Sequence, residues 1–120
     1  MTGYSGYRDL IVWQKSMQLV EIIYRSTNAF PSEERFGLTS QIRRAAISIP
    51  SNIAEGHGRT TRGEYANHLS IARGSLKELE TLCELAKRLG LLSDAASGEA
   101  QAICVEISKM LTGLKRAIQR

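Results

Sequence analysis

Apolar residues recur along this chain at intervals of three and four, the spacing that places them on one side of a helix. The first such segment begins near Asp9, a residue suited to N-capping, and spaces Leu10, Trp13, Met17, Val20 and Tyr24 in that way. It is predicted to stop before Pro31, which pushes its predecessor Phe30 out of the helical region. The second runs from about Thr39 to Glu55, with Ile42, Ala46, Ile49 and Ile53 in phase. Gly56 and Gly58 lie just past its end, where glycine most readily forms a left-handed cap. The third opens on Thr61-Arg62-Gly63-Glu64, a capping box. Tyr65, Leu69, Ala72, Leu76, Leu79, Cys83 and Ala86 then form a sustained heptad seam that ends at Gly90. The fourth starts near Ser93 and carries Ile103, Ile107, Met110, Leu114 and Ile118.

No stretch alternates with a period of two, so strands are not expected. Four amphipathic rods with short connections bury their stripes most simply as an all-α, antiparallel up-down-up-down four-helix bundle. The helices are expected at roughly 9–29, 39–56, 62–89 and 94–119, in one domain spanning 1–120. Pro50 falls inside the second. A proline in a helix interior costs about 3 kcal/mol, because it removes a hydrogen bond and crowds the carbonyl four residues back. Yet the apolar phase continues across it, from Ile42 to Ile53. One helix bent at Pro50 is therefore expected, with Ser48 and Ser51 placed to bond freed backbone groups.

Around its axis this helix has three faces. Ile42, Ala45, Ala46, Ile49 and Ile53 point to the core, and Gln41, Arg44, Ser48, Ser51, Asn52 and Glu55 make a polar stripe. Arg43, Ile47, Pro50 and Ala54 make a third strip, partly apolar. An isolated bundle needs one buried face per helix. Either Ile47 is an ordinary exposed aliphatic, or the strip is covered, most simply by a second copy. In that case Arg43, Ile47, Pro50, Ser51, Ala54 and Glu55 form an oligomer interface.

Charge sharpens this picture. The net charge is +4, and residues 35–62 hold five arginines against Glu55 alone, while the other eleven basic and eleven acidic residues balance. An anionic partner is permitted but not required. The loop His57 to Arg62 feeds a helix N-terminus, where unpaired N–H groups favour phosphate. Arg59, Thr60 and Arg62 make it the best anion-site candidate, and the alternative is a capped turn with solvated arginines. Arg43 and Arg44 can contact a phosphate backbone, or serve the polar stripe and Glu55 of a neighbouring copy.

Catalytic patterns are missing. His57 and His68 have no nearby set of cysteines or carboxylates with ligand spacing, and the Glu-x-x-His pairs of di-iron bundles do not occur. There is no Walker loop and no nucleophile elbow, so no enzyme, cofactor or metal is expected. Trp13 and Tyr65 read as core residues before stacking platforms. Cys83 and Cys104 sit in apolar helical patterns outside any C-x-x-C pair, as packed thiols of a cytoplasmic protein, or as a disulfide if they lie opposite each other. No apolar run is long enough to span a membrane.

YRDLIVWQKSMQLV, FGLTSQIRRAAISIPSNIAEGHGR and GEY followed by LSIARGSLKELETLCELAKRLGLL resemble the four-helix 23S rRNA intervening-sequence proteins over roughly Tyr7 to Leu92. On the matching motif the family's characteristic residues are Arg43, Arg44, Ser48, Pro50, Ser51, Asn52, Glu55 and Gly56, with no role attached to each. The resemblance implies a bundle that often forms a ring-like homopentamer and has no established enzymatic activity. A related branch, the accessory variability proteins of diversity-generating retroelements, implies basic pentamers with RNA or DNA and a reverse transcriptase as partners. Two functional readings follow. One is a homo-oligomer that associates non-specifically with nucleic acid, and the other is a protein-interaction scaffold whose basic charge is incidental.

Overall fold

The computed structural model describes residues 6–119. A short 3-10 turn, Gly6–Asp9, leads into α1 (Ile11–Thr27). After a second turn at Ser32–Glu34 come α2 (Leu38–His57), α3 (Arg62–Arg88) and α4 (Asp94–Ile118). No strand occurs among the described residues. Each helix packs on its chain neighbours, α2 most extensively on α3, and α1 meets α4 to close the group. The molecule measures 47 × 27 × 24 Å, an elongated form set by the long rods.

The helices start and stop for local reasons. Thr61 Oγ accepts from the Glu64 amide at 3.1 Å, and its hydroxyl lies 3.0 Å from the Glu64 carboxylate. Ser93 caps α4 by accepting from the Ala96 amide. At the end of α3, Gly90 has φ +77, and the amides of Gly90 and Leu91 return to the carbonyls of Lys87 and Ala86. That is a Schellman motif, and its left-handed residue is the one glycine tolerates best.

The core lies along the shared axis. Leu19, Ile23, Ile42, Ile49, Ile53, Leu69, Leu76, Leu79, Ile107 and Leu111 are fully buried. Each contributes about 1.5–3 kcal/mol relative to exposure. The α3 seam is buried from Leu69 to Ala86, as its spacing predicts, and Tyr65 is half-buried. In α4, Ile107 is buried as expected, but the inward face is centred on Ala100, Cys104 and Leu111. Ile103, Met110, Leu114 and Ile118 pack at its margin. Both cysteines are free and buried.

Several expectations are corrected. Asp9 belongs to the preceding turn and does not cap α1; Leu10 occupies that position without a side-chain bond. The inward face of α1 is Val12, Ser16, Leu19, Ile22, Ile23 and Thr27. The stripe expected there lies to the side, with Met17 40% and Tyr24 39% exposed. Ser16 and Thr27 sit inside because their hydroxyls donate to the carbonyls of Val12 and Ile23, at 2.7 and 2.8 Å. Those hydroxyls satisfy themselves locally, so two polar residues occupy an otherwise apolar face.

α2 runs unbroken through the buried Pro50. Ser48 does not turn to its own backbone; its Oγ lies 2.8 Å from Ser75 Oγ on α3. Gly58 has φ −82 and ψ −3, a right-handed cap where a left-handed one was expected. Gly56 is not past the helix end but inside it, and buried. A Cβ there would stand 2.7 Å from His68 Cβ and 3.0 Å from the Tyr65 ring. The glycine lets α3 cross α2 closely.

Candidate functional site

α1 carries apolar residues on two sides. One side fills the core, and the other meets the third strip of α2. Trp13, Met17 and Val20 on α1 face Ile47, Pro50, Ser51 and Ala54 on α2 across a groove of about 330 Å³. Tyr7 also lines it and packs edge-on against Trp13, with centroids 5.3 Å apart. No charged side chain lines this groove.

Ile47, 41% exposed, also borders a second cavity of about 290 Å³, where it joins Tyr24, Phe36, Arg43 and Arg44. The apolar surface therefore continues along α2 toward its start. Phe36 stands at that end, 86% exposed, with the Arg35 guanidinium 4.8 Å from its ring centre. An exposed apolar surface rimmed by polar residues, here Arg35, Arg43 and Arg44, is a candidate contact surface.

The polar stripe of α2 faces α3. Asn52 Nδ2 donates to the carbonyl and hydroxyl of Ser48, at 2.9 and 3.1 Å. Its Oδ1 is then left to face His68 Nδ1 at 3.0 Å, so that nitrogen carries the proton. With the Ser48–Ser75 contact, this makes a continuous ladder between the two helices. Gln41, Arg44, Ser48, Ser75 and Glu78 border a polar cleft of about 310 Å³ beside it.

Of the six interface candidates, the structure gathers Ile47, Pro50, Ser51 and Ala54 in one groove. Arg43 and Glu55 lie outside it. Arg43 Nε donates to Thr27 Oγ1 at 2.9 Å, Nη2 reaches Asn28 Oδ1 at 3.4 Å, and the guanidinium stacks 4.4 Å over Tyr24. It clasps the C-terminal end of α1, where a cation is favoured by the helix dipole. Among the described residues neither Arg44 nor Glu55 has an ion-pair partner, and both are exposed.

The basic candidates do not converge. Arg43 and Arg44 lie near the start of α2, and Arg59, Thr60 and Arg62 beyond its end. The 13 residues of α2 from Arg44 to His57 separate them, about 20 Å along the axis. Arg59 Nη1 stands 4.0 Å from Glu64 Oε2, half-exposed, a pair of little energetic weight. Thr60 and Arg62 are exposed. Trp13 and Val20 are half-buried and pack against the core, as their spacing predicts, and also line the groove, whereas Met17 and Phe36 are exposed. The available signal was the surplus on α1, where 12, 19 and 23 are apolar as well as 13, 17, 20 and 24.

Among the described residues no three histidine, cysteine or carboxylate side chains come together as a metal site. No helix among them is long and apolar enough to cross a membrane. What the geometry defines is a bundle of four helices with an uncovered apolar groove and basic residues at two ends.

The chain belongs to the 23S rRNA-intervening sequence protein family, whose model matches residues 8–113. It is similar to a solved protein of unknown function from the S23 ribosomal protein family of Bacteroides thetaiotaomicron. The two share 26% identity with a TM-score of 0.79, over 88% of this chain and 98% of that one. No curated protein matches it. Neither the family's description nor that relative's names an enzymatic activity.

Proposed function

We propose that the protein is a non-enzymatic subunit that assembles with copies of itself and associates with nucleic acid through a basic surface, without sequence preference. The observation that carries this reading is the open groove between α1 and α2. Trp13, Met17, Ile47 and Tyr24 present to water a surface that a single chain leaves unburied, although each helix already has a separate core face. Covering it with a second copy removes that cost. The resemblance implies five copies in a ring.

Assembly multiplies the +4 charge of one chain. Arg59, Thr60 and Arg62 sit at the start of α3, where backbone amides also favour phosphate, and Arg44 supplies an unpaired guanidinium elsewhere. Such a surface binds phosphates by displacing counterions and reads no bases.

The test has two arms. Light scattering should give a multiple of 13.3 kDa for the wild type and 13.3 kDa for Ile47→Glu. A wild-type mass of one chain would remove the assembly. For duplex DNA, affinity should fall roughly a hundredfold for a fourfold rise in salt if about four phosphates are neutralised. Binding that ignores salt would remove the nucleic-acid half. The groove also suits a foreign protein segment. Recovery of one protein partner from nuclease-treated lysate, with no nucleic acid retained, would favour the scaffold reading.

A further inference from the structure

The cavity of about 290 Å³ at the start of α2 is basic and aromatic at once. Arg35, Arg43 and Arg44 border it beside Tyr24 and Phe36, and no carboxylate does. Arg43 is engaged by Thr27, Asn28 and Tyr24. Arg35 and Arg44 are exposed and have no ion pair among the described residues. Like charges gathered without a counter-charge repel one another, and an anion placed between them removes that repulsion.

The helix end itself is not what such an anion would serve. The Leu38 amide already donates to Glu34 Oε1 at 3.2 Å, so α2 has a carboxylate at its start. The guanidinium groups are what remains for a ligand.

Two further observations describe that ligand. Phe36 is 86% exposed, the highest value among the large apolar side chains described, and the Arg35 guanidinium lies 4.8 Å from its ring centre. An exposed ring backed by a guanidinium is a surface on which another flat ring stacks. Thr39 is 8% exposed, and it borders both this cavity and an adjoining one of about 210 Å³. Among the described residues, its hydroxyl is the buried side-chain oxygen that has no hydrogen-bond partner. Buried hydroxyls are normally satisfied, and an acceptor missing at a cavity wall is one that a ligand can supply.

An anion joined to a flat ring, in a cavity of this size, fits a nucleotide. In a duplex the base faces are stacked on one another and only base edges reach the grooves. Phe36 can therefore stack only on a base that is unpaired. Stacking engages every base alike, so this contact adds no sequence preference.

We propose that this cavity holds one unpaired nucleotide of a single strand, its base on the open face of Phe36 and its phosphate on Arg44. Arg35 backs the ring, and the Thr39 hydroxyl donates to the sugar–phosphate. This rests on the nucleic-acid reading and names the form of nucleic acid that this end of the molecule selects. The loop of Arg59 and Arg62 meets the backbone of either form, and Phe36 adds a contact that a duplex cannot make. The cavity shares Ile47 alone with the α1–α2 groove, so the two surfaces are distinct.

Fluorescence anisotropy at one salt concentration tests this with three labelled probes. They are a DNA strand of about 15 nucleotides, its duplex, and a strand of equal length whose sugars carry no bases. Phe36→Ala should weaken the first by about tenfold and leave the other two unchanged, with an unaltered urea midpoint. Phe36→Trp should keep the affinity and lose tryptophan emission as unlabelled strand is added. Arg44→Gln should weaken all three probes alike. Thr39→Val should hold or raise the urea midpoint and still weaken the single strand several-fold. Unchanged affinity in Thr39→Val removes the hydroxyl's part. Unchanged single-strand affinity in Phe36→Ala overturns the site, and leaves the backbone reading standing where the duplex still binds with a steep salt dependence. Failure of all three probes at low salt removes both readings. Capture of an acidic, tyrosine-bearing peptide with no strand bound assigns the cavity to a protein partner and overturns the proposal.

Discussion

At Gly56 a single methyl group decides how near α3 can come to α2. The missing Cβ would meet His68 Cβ at 2.7 Å, so Gly56→Ala forces a helix aside and should cost about 1–3 kcal/mol. Gly74, in the middle of α3, has nothing within 4 Å of its absent Cβ, and Gly74→Ala should gain about 0.5–1 kcal/mol from reduced backbone entropy. Urea midpoints for the two variants should move in opposite directions. Buried thiols give a second test at this scale. Burial pushes Cys83 up to about 11 and Cys104 to about 12, from an ordinary value of 9.0. The folded state therefore holds their protons longer than the unfolded chain. Their contribution to stability is complete below pH 9 and is lost as pH rises toward 11 and 12. A thiol reagent at pH 8 should leave both untouched until the chain unfolds. The SIPSNIAEG stretch was legible as special from sequence, but Gly56 read as a helix stop. Its reason for being glycine belongs to Tyr65 and His68, which contact it only in the folded chain.

Among the elements, α3 was read most faithfully, since its seam is apolar without interruption and its flanks are charged. α1 is legible only in part: Leu10, Trp13 and Val20 pack against the core, while Met17 and Tyr24 do not. Two overlapping apolar stripes compete there, and the inner one is disguised by Ser16 and Thr27, whose hydroxyls are satisfied within the helix. Counting apolar letters favours the outer stripe, which keeps Trp13, Met17 and Tyr24. Thr27 also binds the two helices together. It accepts from Arg43, whose guanidinium reaches Asn28 and lies over Tyr24. Arg43→Ala should destabilise the fold by about 1–2 kcal/mol, from the lost charged hydrogen bonds and ring contact, discounted for partial exposure. Arg43→Lys should recover little, because a lysine lacks the planar fork that serves several acceptors and stacks on Tyr24. Chemical denaturation of both variants checks this.

For the whole molecule, the basic excess that is one segment in sequence is divided by the second half of α2. A site made from Arg43, Arg44, Arg59 and Arg62 in one chain would have to bridge about 20 Å. The loop end is the simpler contact. Arg59→Ala with Arg62→Ala should flatten the dependence of log affinity on log salt by about 2, roughly one unit for each lost phosphate contact, and Arg43→Ala should leave that slope nearly unchanged. Titrations across a salt series read both. The fold class is plain from helical spacing, whereas the groove is only half visible there, because Trp13 and Val20 of its α1 wall follow the same spacing as core residues and pack against the core as well. The ladder of Ser48, Ser75, Asn52 and His68 has a mechanical consequence. Slipping α3 along α2 by one turn, about 5.4 Å, would strand hydroxyls and an amide that now satisfy one another. The ladder works as a detent, holding those two rods as one plate.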